Sequence, residues 1–242
     1  LKKYAHDPKG NKITFESSWH AYWVNGEKYV SATTLLKDFF PKFDREGISE
    51  RYAAKHGLTQ QEVLAKWDAK GKAARDFGNL VHDYVDRKFR GLKIPTALDE
   101  KQTKYFKSIE DCISILEDKY EILETEKIIF STTHKISGTV DLVMRCKSKG
   151  DIVIADWKTC EEISMYNQWQ KGLQHLDHLT DCNYVHYALQ LNLYKRMLQV
   201  ENYYPKAHDI RMGILHVNAI ETKPYKINDM PEEIDGIVNG RC

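Results

Sequence analysis

Ile136-Ser137-Gly138-Thr139-Val140-Asp141-Leu142-Val143-Met144-Arg145-Cys146, then Lys147-Ser148-Lys149-Gly150, then Asp151-Ile152-Val153-Ile154-Ala155-Asp156-Trp157-Lys158 is the stretch that decides the fold. Two apolar runs flank a polar connection too short for a crossover, so they form an antiparallel hairpin. With a four-residue loop Cys146 pairs with Asp151, and five steps back along each strand Asp141 faces Asp156. Directly opposed side chains have Cβ atoms about 4.5–5.5 Å apart. Carboxylates that close repel each other unless a cation lies between them. Oxygen ligands at such a spacing suit Mg2+ or Mn2+ rather than zinc. Lys158, two residues beyond Asp156, shares its sheet face. There an ammonium can hold a water and balance developing negative charge. A solvated surface is the plainer reading of any lone Asp-x-Lys. Here the apolar approaches Val153-Ile154-Ala155 and Val140, Leu142-Val143 oppose it, since charges on buried strands are costly unless paired or liganded.

Upstream, Ile122 to Phe130 is a third β run, joined through Ser131-Thr132-Thr133-His134-Lys135. If Ser131 pairs with Ile136, Glu126 falls opposite Asp141; one more loop residue turns Glu126 to the other face. Glu124 competes for the same role, and a structural ion pair is open to either acid. Before these strands the pattern is helical. Ser31 or Thr33 caps a short helix ending at Pro41, Asp44 starts one reaching Gly57, and Thr59-Gln60-Gln61-Glu62 is a capping box. It opens a helical stretch to about Arg90, with Gly71 and Gly78 as interruptions, and Gln102 to Tyr120 is a further amphipathic helix. Earlier still, Asn25-Gly26 between Ala21–Val24 and Glu27–Val30 marks a type I′ hairpin. After Lys158 come a polar loop, a helix from about Tyr184 to Gln199 and a strand, Ile210 to Val217. Pro224 and Pro231 mark a tail without a clear pattern. This order predicts an α/β fold, α+β-like in arrangement, with a mixed sheet flanked by helices. It divides into an N-terminal hairpin and helical elaboration over residues 1–75 and a core over 76–242.

Lys plus Arg (36) almost cancels Asp plus Glu (35), which excludes a partner bound through overall basic charge but not through local Lys and Arg. Cys112, Cys146, Cys160, Cys182 and Cys242 have neither disulfide-framework nor Cys-x-x-Cys spacing, and each reads as a small buried hydrophobe. His175, His178, Cys182 and His186 match no common zinc spacing. No apolar run is long enough to span a bilayer and no leader pattern opens the chain, so the expectation is an intracellular protein without membrane contact. Leu1 in place of a Met is compatible with a processed N-terminus.

Taken in order, Gly78-Asn79-Leu80-Val81-His82, Glu126, Gly138-Thr139-Val140-Asp141, Asp156-Trp157-Lys158-Thr159 and Gln190-Leu191-Asn192-Leu193-Tyr194 resemble the motifs of RecB-type nucleases of the PD-(D/E)XK superfamily. The resemblance implies a restriction-endonuclease-like core and a Mg2+- or Mn2+-dependent phosphodiesterase acting on DNA. It implies His82, Asp141, Asp156 and the Trp157 carbonyl as metal ligands, with Asp141, Asp156, Lys158 and Glu126 catalytic. Gln190 and Tyr194 would contact nucleic acid or shape the site. Some relatives hold an iron–sulfur cluster with one early and three late cysteines. That distribution is absent here, and no cluster is expected. A helical cover over a sheet-borne site further suggests a channel for single-stranded DNA and an exonuclease that needs a free end.

Overall fold

The computed structural model describes residues 2–16, 19 and 21–240; Cys242 lies outside them. Four N-terminal strands, β1 (Lys2–His6), β2 (Lys12–Glu16), β3 (Ala21–Val24) and β4 (Glu27–Ser31), form an antiparallel meander. Asn25 (φ 49°) and Gly26 (φ 86°) take the left-handed pair that a type I′ turn requires. The Ser31 hydroxyl accepts the Thr34 N–H and caps α1 (Ala32–Leu36). Asp44 caps α2 (Arg45–His56), and Gly57 ends it in the left-handed conformation.

The Thr59–Glu62 capping box opens α3 (Gln60–Phe89), and here one expectation fails. Gly71 and Gly78 do not interrupt it: both lie inside one continuous 30-residue helix. An interior glycine costs only about 1 kcal/mol relative to alanine. The burial of Val63 near one end and of Val81, Tyr84 and Val85 near the other holds the helix through both positions.

After α4 (Glu100–Lys119) come β5 (Tyr120–Ser131), β6 (Ile136–Cys146) and β7 (Ile152–Lys158), then α5 (Asn183–Val200) and β8 (Ile210–Val217). The tail forms β9 (Thr222–Ile227), antiparallel to β8, and α6 (Pro231–Asn239). Pro224 is tolerated because β9 is an edge strand, and Pro231 because it occupies the first turn of its helix.

All nine strands belong to one mixed sheet, with β7 and β8 parallel and β5–β6–β7 antiparallel. Period-two alternation distributes its side chains to two layers. Ile152, Ile154, Met212 and Ile214 pack with α1, α5 and α6, while Ala155, Trp157, Leu215 and Val217 pack with α3 and α4.

What positions the site is a fork in this sheet. β5 covers one edge of β6 along its whole length. On the other edge β7 pairs only with residues 142–145 and β4, in parallel, only with Ile136 and Ser137. The C-terminal ends of β4 and β7 therefore point at each other across residues 138–141 of β6, which have no strand partner on that edge among the described residues.

A candidate metal centre at the fork

Asp141 stands at the fork, one step beyond the last pair of the β6–β7 ladder, Leu142–Ala155. The register places it opposite Asp156, as the four-residue loop requires, and the Cys146 N–H donates to the Asp151 carbonyl at 2.8 Å. Past Ala155 a side chain takes over from the ladder: the Trp157 N–H donates to Asp141 Oδ2 at 2.9 Å. The N–H and C=O of a residue in a strand point to the same side, so the Trp157 carbonyl also faces Asp141.

Ser131 pairs with Ile136, and the flanking pairs Thr125–Leu142 and Lys127–Val140 bracket Glu126 opposite Asp141. Glu126 has φ 47°, left-handed backbone in the middle of a strand. For a side-chain-bearing residue this costs on the order of 1–3 kcal/mol, a form of strain that collects at functional sites. It also breaks the alternation that would give Glu124 and Glu126 one environment. Glu124 takes Lys127 at 2.6 Å and the Tyr204 hydroxyl at 2.9 Å, whereas Glu126 faces His82.

His82 arrives from α3, on the other side of the sheet from α5. Its Nδ1 lies 3.3 Å from Glu126 Oε1 and 3.5 Å from Asp141 Oδ2. Asp156 and Lys158 lie on the α5 face, ion-paired to each other. Gln190 donates to Asp156 Oδ1 at 3.2 Å and to the Tyr194 hydroxyl at 3.1 Å. Both Gln190 and Tyr194 are buried, so their direct contacts are with Asp156 and the sheet. The Tyr194 ring fills the space a side chain on Gly138 would need: a Cβ there would lie 2.4 Å from Tyr194 Cε1. Only glycine lets α5 approach β6 this closely. The Lys158 ammonium sits 4.5 Å from the centre of the Tyr187 ring, a contact that sequence reasoning missed. Its signal was present, since Tyr187, Gln190 and Tyr194 follow the i, i+3, i+7 spacing of one helical face.

The electrostatics are those of a site with too many acids. Burial, followed by the neighbouring Asp156 carboxylate, pushes Asp141 up to about 8. Burial works against a charged His82, but Asp141, Glu126 and Asp156 more than offset it and raise the imidazole to about 9. Lys158 is also disfavoured by burial, yet Asp156 and Asp141 hold its ammonium well above the ordinary lysine range. Donor atoms of His82, Glu126 and Asp141 all lie within 4.8 Å of one another, the one such group of metal-capable side chains among the described residues. Two carboxylates and an imidazole, with Asp156 across the strand, fit a divalent cation that accepts oxygen and nitrogen ligands. By contrast, His175 and His178 contact Glu233, and His186 contacts Asp181.

The model of the PD-(D/E)XK nuclease superfamily matches residues 51–239. This chain belongs to the PD-(D/E)XK nuclease superfamily. No curated protein matches it significantly. As a PD-(D/E)XK protein it is a nuclease of a divalent-metal-dependent class, and its substrate is nucleic acid. Among the described residues no helix is long and apolar enough to cross a membrane.

Proposed function

We propose that this PD-(D/E)XK protein is a RecB-type, Mg2+- or Mn2+-dependent deoxyribonuclease working inside the cell, and that it degrades single-stranded DNA from a free end. The observation that carries the nuclease assignment is the meeting of His82, Glu126 and Asp141 with the Asp156–Lys158 pair at the fork. His82, Asp141, Asp156 and the Trp157 carbonyl would hold the cation, with Glu126 completing the acid set. A divalent ion bound there supplies Lewis-acid charge to the scissile phosphate.

The chain's own groups do the rest. Lys158, ion-paired with Asp156, offers its ammonium as a hydrogen-bond donor. It orients the attacking water and neutralises charge as the water oxygen, giving up a proton to solvent, bonds to phosphorus and the sugar oxygen departs, taking up a proton from solvent. Tyr187 supports the lysine from beneath, and Gln190 with Tyr194 keeps Asp156 in place.

The preference for a threaded single strand is supported by α3. Residues 72–76 of α3 are exposed on every side, and the helix runs past the exit of β7: Lys70 pairs with Glu161 at 3.0 Å, and Gly78 adjoins Thr159. With α3 on one side and the meander on the other, the reading is of a site that takes one flexible strand. The division between an elaboration over residues 1–75 and a nuclease core over 76–242 is thus one of role, since α3 runs through it. Linear and closed circular single-stranded DNA of the same sequence provide the test. Linear strands should be digested and circles spared; equal digestion of both would show an endonuclease with an open cleft.

A further inference from the structure

A cavity of about 240 Å3 opens at the fork, between the meander and the metal-donor set, and the chemistry above makes no use of it. Its lining includes Lys3, Phe15, Tyr22, Thr33, Thr139 and Glu126. Glu126 is the link, because it belongs both to this cavity and to the group with His82 and Asp141. Sheet register explains the rest. Lys3 pairs with Phe15 and Phe15 with Tyr22, so the three side chains stand in one row across β1, β2 and β3. The rings of Phe15 and Tyr22 lie 4.6 Å apart, and the Tyr22 hydroxyl is 3.1 Å from that of Thr139 on β6. The row therefore leads from an exposed cation, through two aromatic rings, to the edge of the reaction site.

Tyr22 is 2% exposed and the half-buried Phe15 packs against the same cluster, yet both also line a cavity beside a metal-donor carboxylate, with the exposed Lys3 on the same lining. An aromatic face, hydroxyls and an ammonium are the groups that recognise a base, a sugar edge and a phosphate. The volume lies below the roughly 300–1,000 Å3 of sites for drug-sized ligands, which suits one nucleotide rather than a base pair. Lys3, Phe15, Tyr22 and Thr33 all precede residue 51, where the superfamily match begins, whereas Glu126, Gly138, Thr139 and Tyr194 on the same lining lie within it.

We propose that this cavity is a nucleotide subsite that takes the nucleotide next to the scissile phosphate, with Phe15 against the base and Lys3 towards the adjoining phosphate. The proposal rests on the nuclease reading, and its test separates the two. The chain of residues 1–242 is given linear single strands carrying either an intact nucleotide or an abasic residue at each position. For each protein the ratio of cleavage rates beside the intact and the abasic residue is measured. The same pair of labelled strands is titrated by fluorescence anisotropy without metal, giving a ratio of affinities that needs no catalysis. In the wild type both ratios should be roughly ten, the scale of one base–aromatic stack. Thr33→Trp, at an exposed rim position, should bring both towards one. Lys3→Ala, on an exposed edge-strand side chain, should weaken metal-free binding of both strands several-fold and alike, as loss of a phosphate contact does. Wild-type ratios near one, an undiminished ratio in Thr33→Trp, or unchanged affinity in Lys3→Ala would overturn the subsite. Absence of cleavage by the wild type would remove the nuclease reading instead, and the affinity ratios would still decide the subsite.

Discussion

Glu201, at the end of α5, and Asp141, in the middle of β6, are both buried carboxylates, and the protein treats them in opposite ways. Glu201, fully buried at the end of α5, accepts from Lys9 Nζ at 2.8 Å, Ser131 Oγ at 2.7 Å and the Thr133 N–H at 3.1 Å. Burial alone would raise its pKa; these donors lower it to about 2. Glu201 thereby ties the β1–β2 turn and the β5–β6 loop to α5. Asp141 receives the Trp157 N–H and shares His82 with Glu126, and it has another carboxylate across the strand. This fold can surround a buried acid with donors where the acid only has to hold segments together. At the fork it gathers acids instead, which costs stability unless a cation is supplied.

The sharpest way to break this comparison is to remove charged groups from each region in turn. Asp156→Ala and Lys158→Ala should each lower kcat/KM by roughly a thousandfold or more while leaving a folded protein. Glu201→Ala should do the reverse, costing about 3 kcal/mol in denaturant unfolding while the folded fraction still cuts normally. Near-wild-type turnover in either site variant would show that the chemistry lies elsewhere.

Glu124 and Glu126 sharpen the contrast within one strand. Glu126→Gln should reduce cleavage roughly tenfold, as loss of one acid from the ligand set would. Glu124→Gln should change the rate less than threefold, a small effect in keeping with its ion pair to Lys127 and its contact with Tyr204. Equal effects would mean that the left-handed turn at Glu126 does not separate their roles.

The smallest and most graded effect is on pH-dependent stability, read as Tm in chelator. Asp141 and His82 are both raised, from 3.8 to about 8 and from 6.5 to about 9, so the folded state binds more protons than the unfolded state over those ranges. Their contribution is present at low pH and lost as pH rises, most clearly between 6.5 and 9. Glu201 is depressed from 4.5 to about 2, so its contribution is present above pH 4.5 and lost as pH falls towards 2. Added Mg2+ or Mn2+ should raise Tm more at pH 9 than at pH 6.5, because fewer protons then compete for the donors. Asp141→Asn should flatten the alkaline slope. A slope unchanged by that substitution would show that Asp141 is not the titrating group.

The central hairpin, its register and the helices around it were legible because they depend on local rules. Period-two apolar runs define β6 and β7, and a four-residue loop fixes which residues face each other by counting alone. Capping residues mark where α1, α2 and α3 begin. Weak local signals hid other elements. β1 and β2 are short, mixed in polarity and stable only as part of a four-strand meander, while Pro224 disguised β9 and two glycines disguised the continuity of α3.

From the sequence by itself one could place Asp141 opposite Asp156, put Lys158 on the same face and expect a cation between acids on apolar strands. Tertiary structure alone decided that β4 would meet β6 more than a hundred positions along the chain and leave its edge open at residues 138–141. It also decided that α3 would bring His82 to Asp141 and Glu126, that Glu126 rather than Glu124 would turn inward, and that Tyr187 would lie beneath Lys158. The physical reason is range. Alternation, capping and loop length act over a few residues and are written locally, whereas the fork comes from packing between distant segments, whose free energy no single stretch of sequence displays.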